Sequence, residues 1–163
     1  MAIRPILKYP HPGLSTPCAP VTNFDSQLAA LADDLLETMR AAPGVGMTAA
    51  HVGVFTRFVV LELSKEQGPR FYVNPEILSS SEQTIVYTEG SVSMPGATEE
   101  VERPRQIRFR YQDLQGAFHE EDADAFYSVC MQHEIDQLDG IFWLRKLSRL
   151  KRDRLVRKWE KAK

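Results

Sequence analysis

The chain has 163 residues, a formal net charge of −2, 43% hydrophobic residues and 26% charged residues. That length and balance fit one globular domain over 1–163 with its own core, and give no overall case for nucleic acid. No run of 18 apolar residues offers a membrane span, and the opening Met-Ala-Ile-Arg-Pro-Ile-Leu lacks the apolar stretch and cleavage site of a signal peptide, so a cytoplasmic location is expected.

Five prolines at positions 5, 10, 12, 17 and 20 make the first twenty residues an extended arm with turns. Asp25 or Ser26 can cap a helix that runs to about Ala41, with Leu28, Leu31, Leu35 and Met39 as its core stripe. Pro43-Gly44 ends it, and Gly44 and Gly46 let the backbone approach a neighbour closely. Phe58 to Leu63 and Phe71 to Asn74 read as strands. A third runs from about Thr84 to Thr88 and delivers Glu89-Gly90-Ser91 at its end. Ile107, Phe109 and Tyr111 alternate with Arg108 and Arg110, a strand with one wet face, and Gly116 marks the turn after it. A helix is expected from about Ala123 to Leu138, with Phe126, Val129, Cys130 and His133 on one buried face and a stop at Asp139-Gly140. One helix, several strands and a second helix suggest an α+β fold with that helix packed on a mixed or antiparallel sheet. The two cysteines, Cys18 and Cys130, give no disulfide framework, and Cys130 reads as a small buried hydrophobe.

Residues 133–137 read His-Glu-Ile-Asp-Gln, where a metallohydrolase would read His-Glu-x-x-His. Two His four residues apart on a helix share a face and grip a metal, and the Glu between them works on the metal's water. Two further segments belong with this one: Gly-Val-Gly-Met-Thr-Ala-Ala-His at 44–51 and Glu-Gly-Ser-Val-Ser-Met at 89–94. The three motifs, in this order and over nearly the whole chain, resemble the peptide deformylases. The resemblance implies their fold, with sheets around a central active-site helix and a C-terminal helix. It also implies descent from a metallohydrolase that removes formyl from N-formyl-methionyl peptides. Glu134 would be the catalytic Glu, with His51 and the Val92 backbone N–H steadying the oxyanion.

Departures from the family pattern limit that activity. The Cys that would hold iron(II) or zinc is Ser91, the second His is Gln137, and the Gln of the glycine loop is His51; of the three metal positions only His133 keeps its ligand. A serine hydroxyl and an amide carbonyl are neutral and weak where a thiolate and an imidazole bind tightly. Ordinary deformylation is therefore expected to be absent or very weak, with no cofactor. Ser91, His133 and Gln137 are expected to hydrogen-bond to one another in the ion's place. One alternative rebuilds the metal site from His51, His133 and Glu134. Another uses no metal: Ser91, a neighbouring His and Glu134 hold the residue types of a nucleophile, base and orienter.

The resemblance also implies a pocket for an apolar side chain, lined by Gly44, Val45, Gly46, Phe126, Val129 and Cys130, while a family Arg at its mouth is replaced by Thr98. Packing of the core accounts for these apolar residues equally well. From Arg145 onward the chain is dense in Lys and Arg, with Leu147, Leu150, Leu155, Val156 and Trp159 on an apolar side. Such a basic amphipathic helix suits a solvated face or a ribosome, the latter being what the resemblance implies. A non-catalytic binder of nascent N termini or ribosomes is thus the second class of function beside a divergent hydrolase.

Overall fold

The computed structural model describes residues 2–163. Helix α1 (Ser26–Ala41) starts where Asp25 accepts the amides of Gln27 and Leu28 through its side chain, leaving fewer open donors at the helix start. Its leucine stripe and Met39 are buried as the periodicity requires. Strands β1 (Gly46–Thr48), β2 (Phe58–Leu61), β3 (Arg70–Ser80), β6 (Gln106–Gln112) and β7 (Phe118–Asp124) form one sheet in the order β1-β2-β3-β6-β7, every neighbouring pair antiparallel. Strands β4 (Thr84–Gly90) and β5 (Thr98–Pro104) make a separate antiparallel hairpin. The α+β reading stands, with antiparallel sheets.

Helix α2 (Ala125–Leu138) crosses the large sheet, and its Met131, Ile135 and Leu138 pack on Val59, Tyr72, Ile107 and Phe109. Helix α1 covers other residues of β1, β2 and β3. Helix α3 (Arg149–Lys161) closes a third cluster through Leu155, Val156 and Trp159 against Met94, Phe142 and Trp143. Leu150, expected on the apolar side of α3, is instead 66% exposed. It sits one position into the helix, before the buried stripe begins. Gly140 ends α2 with φ +77°, and a Cβ there would lie 2.8 Å from the Ser15 carbonyl oxygen. Only glycine meets both demands, which is how the stop signal also docks the N-terminal arm.

The strands depart from expectation at four places. The second strand continues past Asn74 and Pro75 to Ser80. Asn74 takes φ +50° and the register shifts between Val73 and Glu76, so a bulge admits the proline inside the strand. Asn74 also ties down the arm, accepting from Val21 N–H and donating to Val21 O. Strands β1, β5 and β7 were not expected; β1 is a three-residue piece of the glycine segment paired to β2. β5 and β7 are rich in charge, and β7 pairs with β6 along its whole length, with exposed ion pairs such as Arg108 to Asp122 beside the ladder. The second long helix accordingly begins at Ala125, after the strand.

Candidate active site

A cavity of about 540 Å³ opens between the glycine segment, the end of β4, the start of β5 and one face of α2. Gly44, Val45, Gly46 and His51 line it from one side; Ser91, Val92 and Thr98 line it from another. Phe126, Val129, Cys130, His133 and Glu134 come from α2. The sequence-derived site residues therefore converge, with one exception. Gln137 lies outside the cavity, buried, with its side-chain amide donating to the Leu14 carbonyl at 2.8 Å.

The expected hydrogen-bond cluster of Ser91, His133 and Gln137 is not what forms. Ser91 Oγ accepts from the Ser93 amide at 3.1 Å. His133 Nδ1 lies 2.9 Å from Glu89 Oε1, and Gln137 serves the N-terminal arm. Phe126, expected on a buried face, is 41% exposed at the cavity rim, where its ring packs against Tyr87 at a centroid distance of 5.6 Å. It stands in the first turn of α2, beyond the edge of the core. Cys130 is half-buried, and burial pushes its thiol up to about 12, so it is an unreactive wall at neutral pH.

Behind the cavity lies a charge cluster. Arg103, 3% exposed, donates to both Glu89 oxygens at 2.6 and 3.0 Å and to Asp136 at 2.8 Å. Burial works against the Glu89 charge, but His133 and Arg103 outweigh it and hold the carboxyl at about 2. An ionised Glu89 can only accept, so His133 Nδ1 carries the proton and Nε2 is the ring's free position. Burial also works against the imidazolium, yet the Glu89 hydrogen bond and the Glu134 charge raise the pKa of His133. Burial first of all raises that of Glu134.

His51 is fixed in the opposite sense. It is 1% exposed, and its Nδ1 takes the Thr48 amide N–H at 3.0 Å. Burial and the neighbouring His133 lower its pKa to about 3, so the ring is neutral and its proton sits on Nε2. That Nε2 has no partner in the protein, nor has Glu134 Oε1; both belong to buried residues of the cavity wall. Buried polar atoms without partners are rare. Here one is a donor and the other a carboxyl oxygen in the same hollow.

Glu89, Arg103, Asp136 and Thr48 were missed as site residues. The detectable signal was Arg103 at a strand position in register with buried Val101, since an inward arginine demands a carboxylate. Gly46 explains itself: a Cβ there would fall 2.7 Å from Glu134 Oε2 and from Leu61 Cδ2. Gly46→Ala should lower stability by about 1–3 kcal/mol through this overpacking. Urea unfolding checks it; an unchanged midpoint would mean that Glu134 is free to swing away.

An antiparallel α+β frame with His133-Glu134 on a helix against a glycine segment and a Glu-Gly-Ser strand end defines the deformylase type of protein. The polypeptide deformylase family model matches residues 3–153, and the chain belongs to the peptide deformylase family. It is 63% identical to the "Peptide deformylase-like" protein of Agrobacterium fabrum over 163 residues, covering 100% of this chain and 99% of that one. It is 47% identical to the "Peptide deformylase" of Afipia carboxidovorans, covering 99% and 96%. Among solved structures, the peptide deformylase of Ehrlichia chaffeensis in complex with actinonin superposes with a TM-score of 0.93 at 34% identity, covering 100% of this chain and 99% of that one.

Proposed function

We propose that this chain is a deformylase-fold protein that keeps a pocket for peptide N termini and has lost the metal-dependent removal of formyl groups. The observation that carries this reading is Gln137, turned away from the cavity onto the Leu14 carbonyl. The family's iron(II) or zinc does not fit the residues present. Ser91 brings a neutral hydroxyl, Gln137 faces elsewhere, and only His133 has a ring nitrogen to offer. The rebuilt set of His51, His133 and Glu134 fits an ion no better: His51 Nδ1 already accepts the Thr48 N–H, so its Nε2 carries the ring proton and offers no lone pair. A structural zinc site contributes roughly 10–16 kcal/mol in small peptides, and one imidazole retains a minor part of that.

What favours peptide binding is the orphaned pair in the wall. A peptide N terminus, formylated or free, brings a carbonyl for His51 Nε2–H and an N–H for Glu134 Oε1. The apolar stretch along Val45 and Val129 suits a methionine side chain. The test is metal content after anaerobic purification with iron(II), nickel and zinc supplied, together with turnover of a formyl-methionyl peptide. Substoichiometric metal and background turnover are expected. A stoichiometric ion, or turnover that disappears in Glu134→Ala, overturns the reading.

Ribosome binding through α3 is the second part of the proposal. Arg154, Arg157, Lys158 and Lys161 are exposed, while Leu155 is buried and Trp159 Nε1 donates to the Pro95 carbonyl. Deleting the helix would thus open the core, so charge reversal is the cleaner probe. Arg154→Glu with Lys158→Glu should reduce ribosome co-sedimentation at least about tenfold at low salt without shifting the melting temperature. Unchanged pelleting would leave α3 as a solvated, packed helix.

A further inference from the structure

We infer that Ser91, His133 and Glu89 form a metal-independent acyl-transfer centre, with His51 Nε2–H as the donor for the oxyanion. The inference rests on the reading that no metal occupies His133. It also changes the orienting residue: Glu134, expected from sequence, does not contact the imidazole through a hydrogen bond, whereas Glu89 does. Glu89 is fixed on both oxygens by Arg103, so it holds the ring in one tautomer and one orientation, as an acid does for the base in a Ser-His-acid triad. The remaining nitrogen, Nε2, belongs to a cavity-lining side chain, and Ser91 lines the same cavity; the two are not hydrogen-bonded at rest, so the Ser91 hydroxyl turns to Nε2 when substrate binds. Ser91 Oγ accepts the Ser93 N–H, which leaves its own proton free to leave and favours the alkoxide that forms as it does. The partnerless His51 Nε2–H is a second, independent mark of the site. A preformed donor in the cavity wall, without a partner in the protein, is the feature that oxyanion stabilisation needs.

The substrate class is an acyl ester, because an alcohol leaves with less help than an amine and the apolar wall at Val45 and Val129 can take an acyl chain. Ser91 Oγ bonds to the acyl carbon as its proton passes to His133 Nε2. The ester C–O bond breaks, and the alcohol leaves with that proton. Water then bonds to the acyl carbon, gives its proton to Nε2, and the acid departs as Ser91 recovers its hydrogen. Glu134 Oε1, without a partner in the protein, belongs to the same cavity wall and would accept from the attacking water. No oxidant or other co-reactant enters. The same His133 tautomer would equally present Nε2 to a metal, so the decisive group is Ser91.

The experiment uses the purified full chain in excess chelator, treated with a fluorophosphonate probe and analysed by intact-mass and peptide mass spectrometry. 4-Nitrophenyl acetate hydrolysis is followed in parallel. One phosphonyl adduct on Ser91 is expected, with loss of fluoride. Adduct formation and Ser91-dependent hydrolysis should both vanish in Ser91→Ala, which removes one oxygen from a partly exposed site and should melt as the parent does. His133→Gln should slow adduct formation by at least about 100-fold. No adduct, an adduct elsewhere, or equal hydrolysis by parent and Ser91→Ala overturns the inference. Because chelator is present throughout, that failure is separate from the discovery of a metal, which would overturn the proposed function instead.

Discussion

Arg103→Ala should lower the stability of the protein by about 3–5 kcal/mol, a large share of the roughly 5–15 kcal/mol that holds a domain folded. The guanidinium is 3% exposed and is shared between two carboxylates of different elements, Glu89 on β4 and Asp136 on α2. Its removal leaves Glu89, 7% exposed, buried without its main counter-charge. Lysine cannot reproduce the fork of donors, so Arg103→Lys should recover only part of the loss. The pH dependence carries the same signature. Glu89 titrates at about 2 in the folded protein against 4.5 unperturbed, so its stabilisation is complete above about 4.5 and disappears as the pH falls toward 2. The parent should weaken over that window, and Arg103→Ala should lose the arginine's share of this acid slope while the His133 hydrogen bond keeps the rest. Urea titrations at several pH values read both effects. Equal midpoints for parent and variant at pH 7 would mean that water replaces the arginine at no cost.

Those charged groups also show where the sequence was legible and where it was not. Helix α1 was readable because its apolar period, its Asp25 cap and its Pro43-Gly44 stop agree. The α2 motif was readable because His133 and Glu134 stand in a recognisable order. Strands β5 and β7 hid because their sequences, Thr-Glu-Glu-Val-Glu-Arg-Pro and Phe-His-Glu-Glu-Asp-Ala-Asp, oppose strand propensity. Their partners supply the stabilisation from outside, through the β6 ladder in one case and the β4 ladder in the other. At the site, eleven of the twelve expected residues lie around one cavity and Gln137 does not. Its i, i+4 spacing from His133 fixes the helix face but not the target of a flexible side chain. The Leu14 carbonyl, 123 positions earlier in the chain, decided that, and no local pattern announces it. Glu89 lies within a motif, yet its bond to His133 is fixed by Arg103 from a third element.

Restoring both missing ligands should return a metal where either change alone does not. Gln137→His by itself removes the amide donor from the buried Leu14 carbonyl, which should cost about 1–3 kcal/mol, and places an imidazole beside a neutral Ser91. Ser91→Cys by itself adds a thiol without a second imidazole. Together they would supply a thiolate and two imidazoles, the composition of a catalytic zinc site that keeps an open position. One ligand is already prepared, since Glu89 fixes Nδ1 of His133 and leaves Nε2 to coordinate. Zinc at a thousand times its dissociation constant should then stabilise Ser91→Cys/Gln137→His by about 4 kcal/mol. It should leave the parent and both single variants nearly unmoved. Thermal melts with and without zinc, and metal analysis after gel filtration, read this directly. A double variant that binds no zinc would mean that position 137 has been closed by the arm at Leu14, and that the pocket diverged in shape as well as in ligands. If zinc returns, adding His51→Gln tests whether formyl-methionyl turnover follows the ion or also needs the family's amide in place of the imidazole.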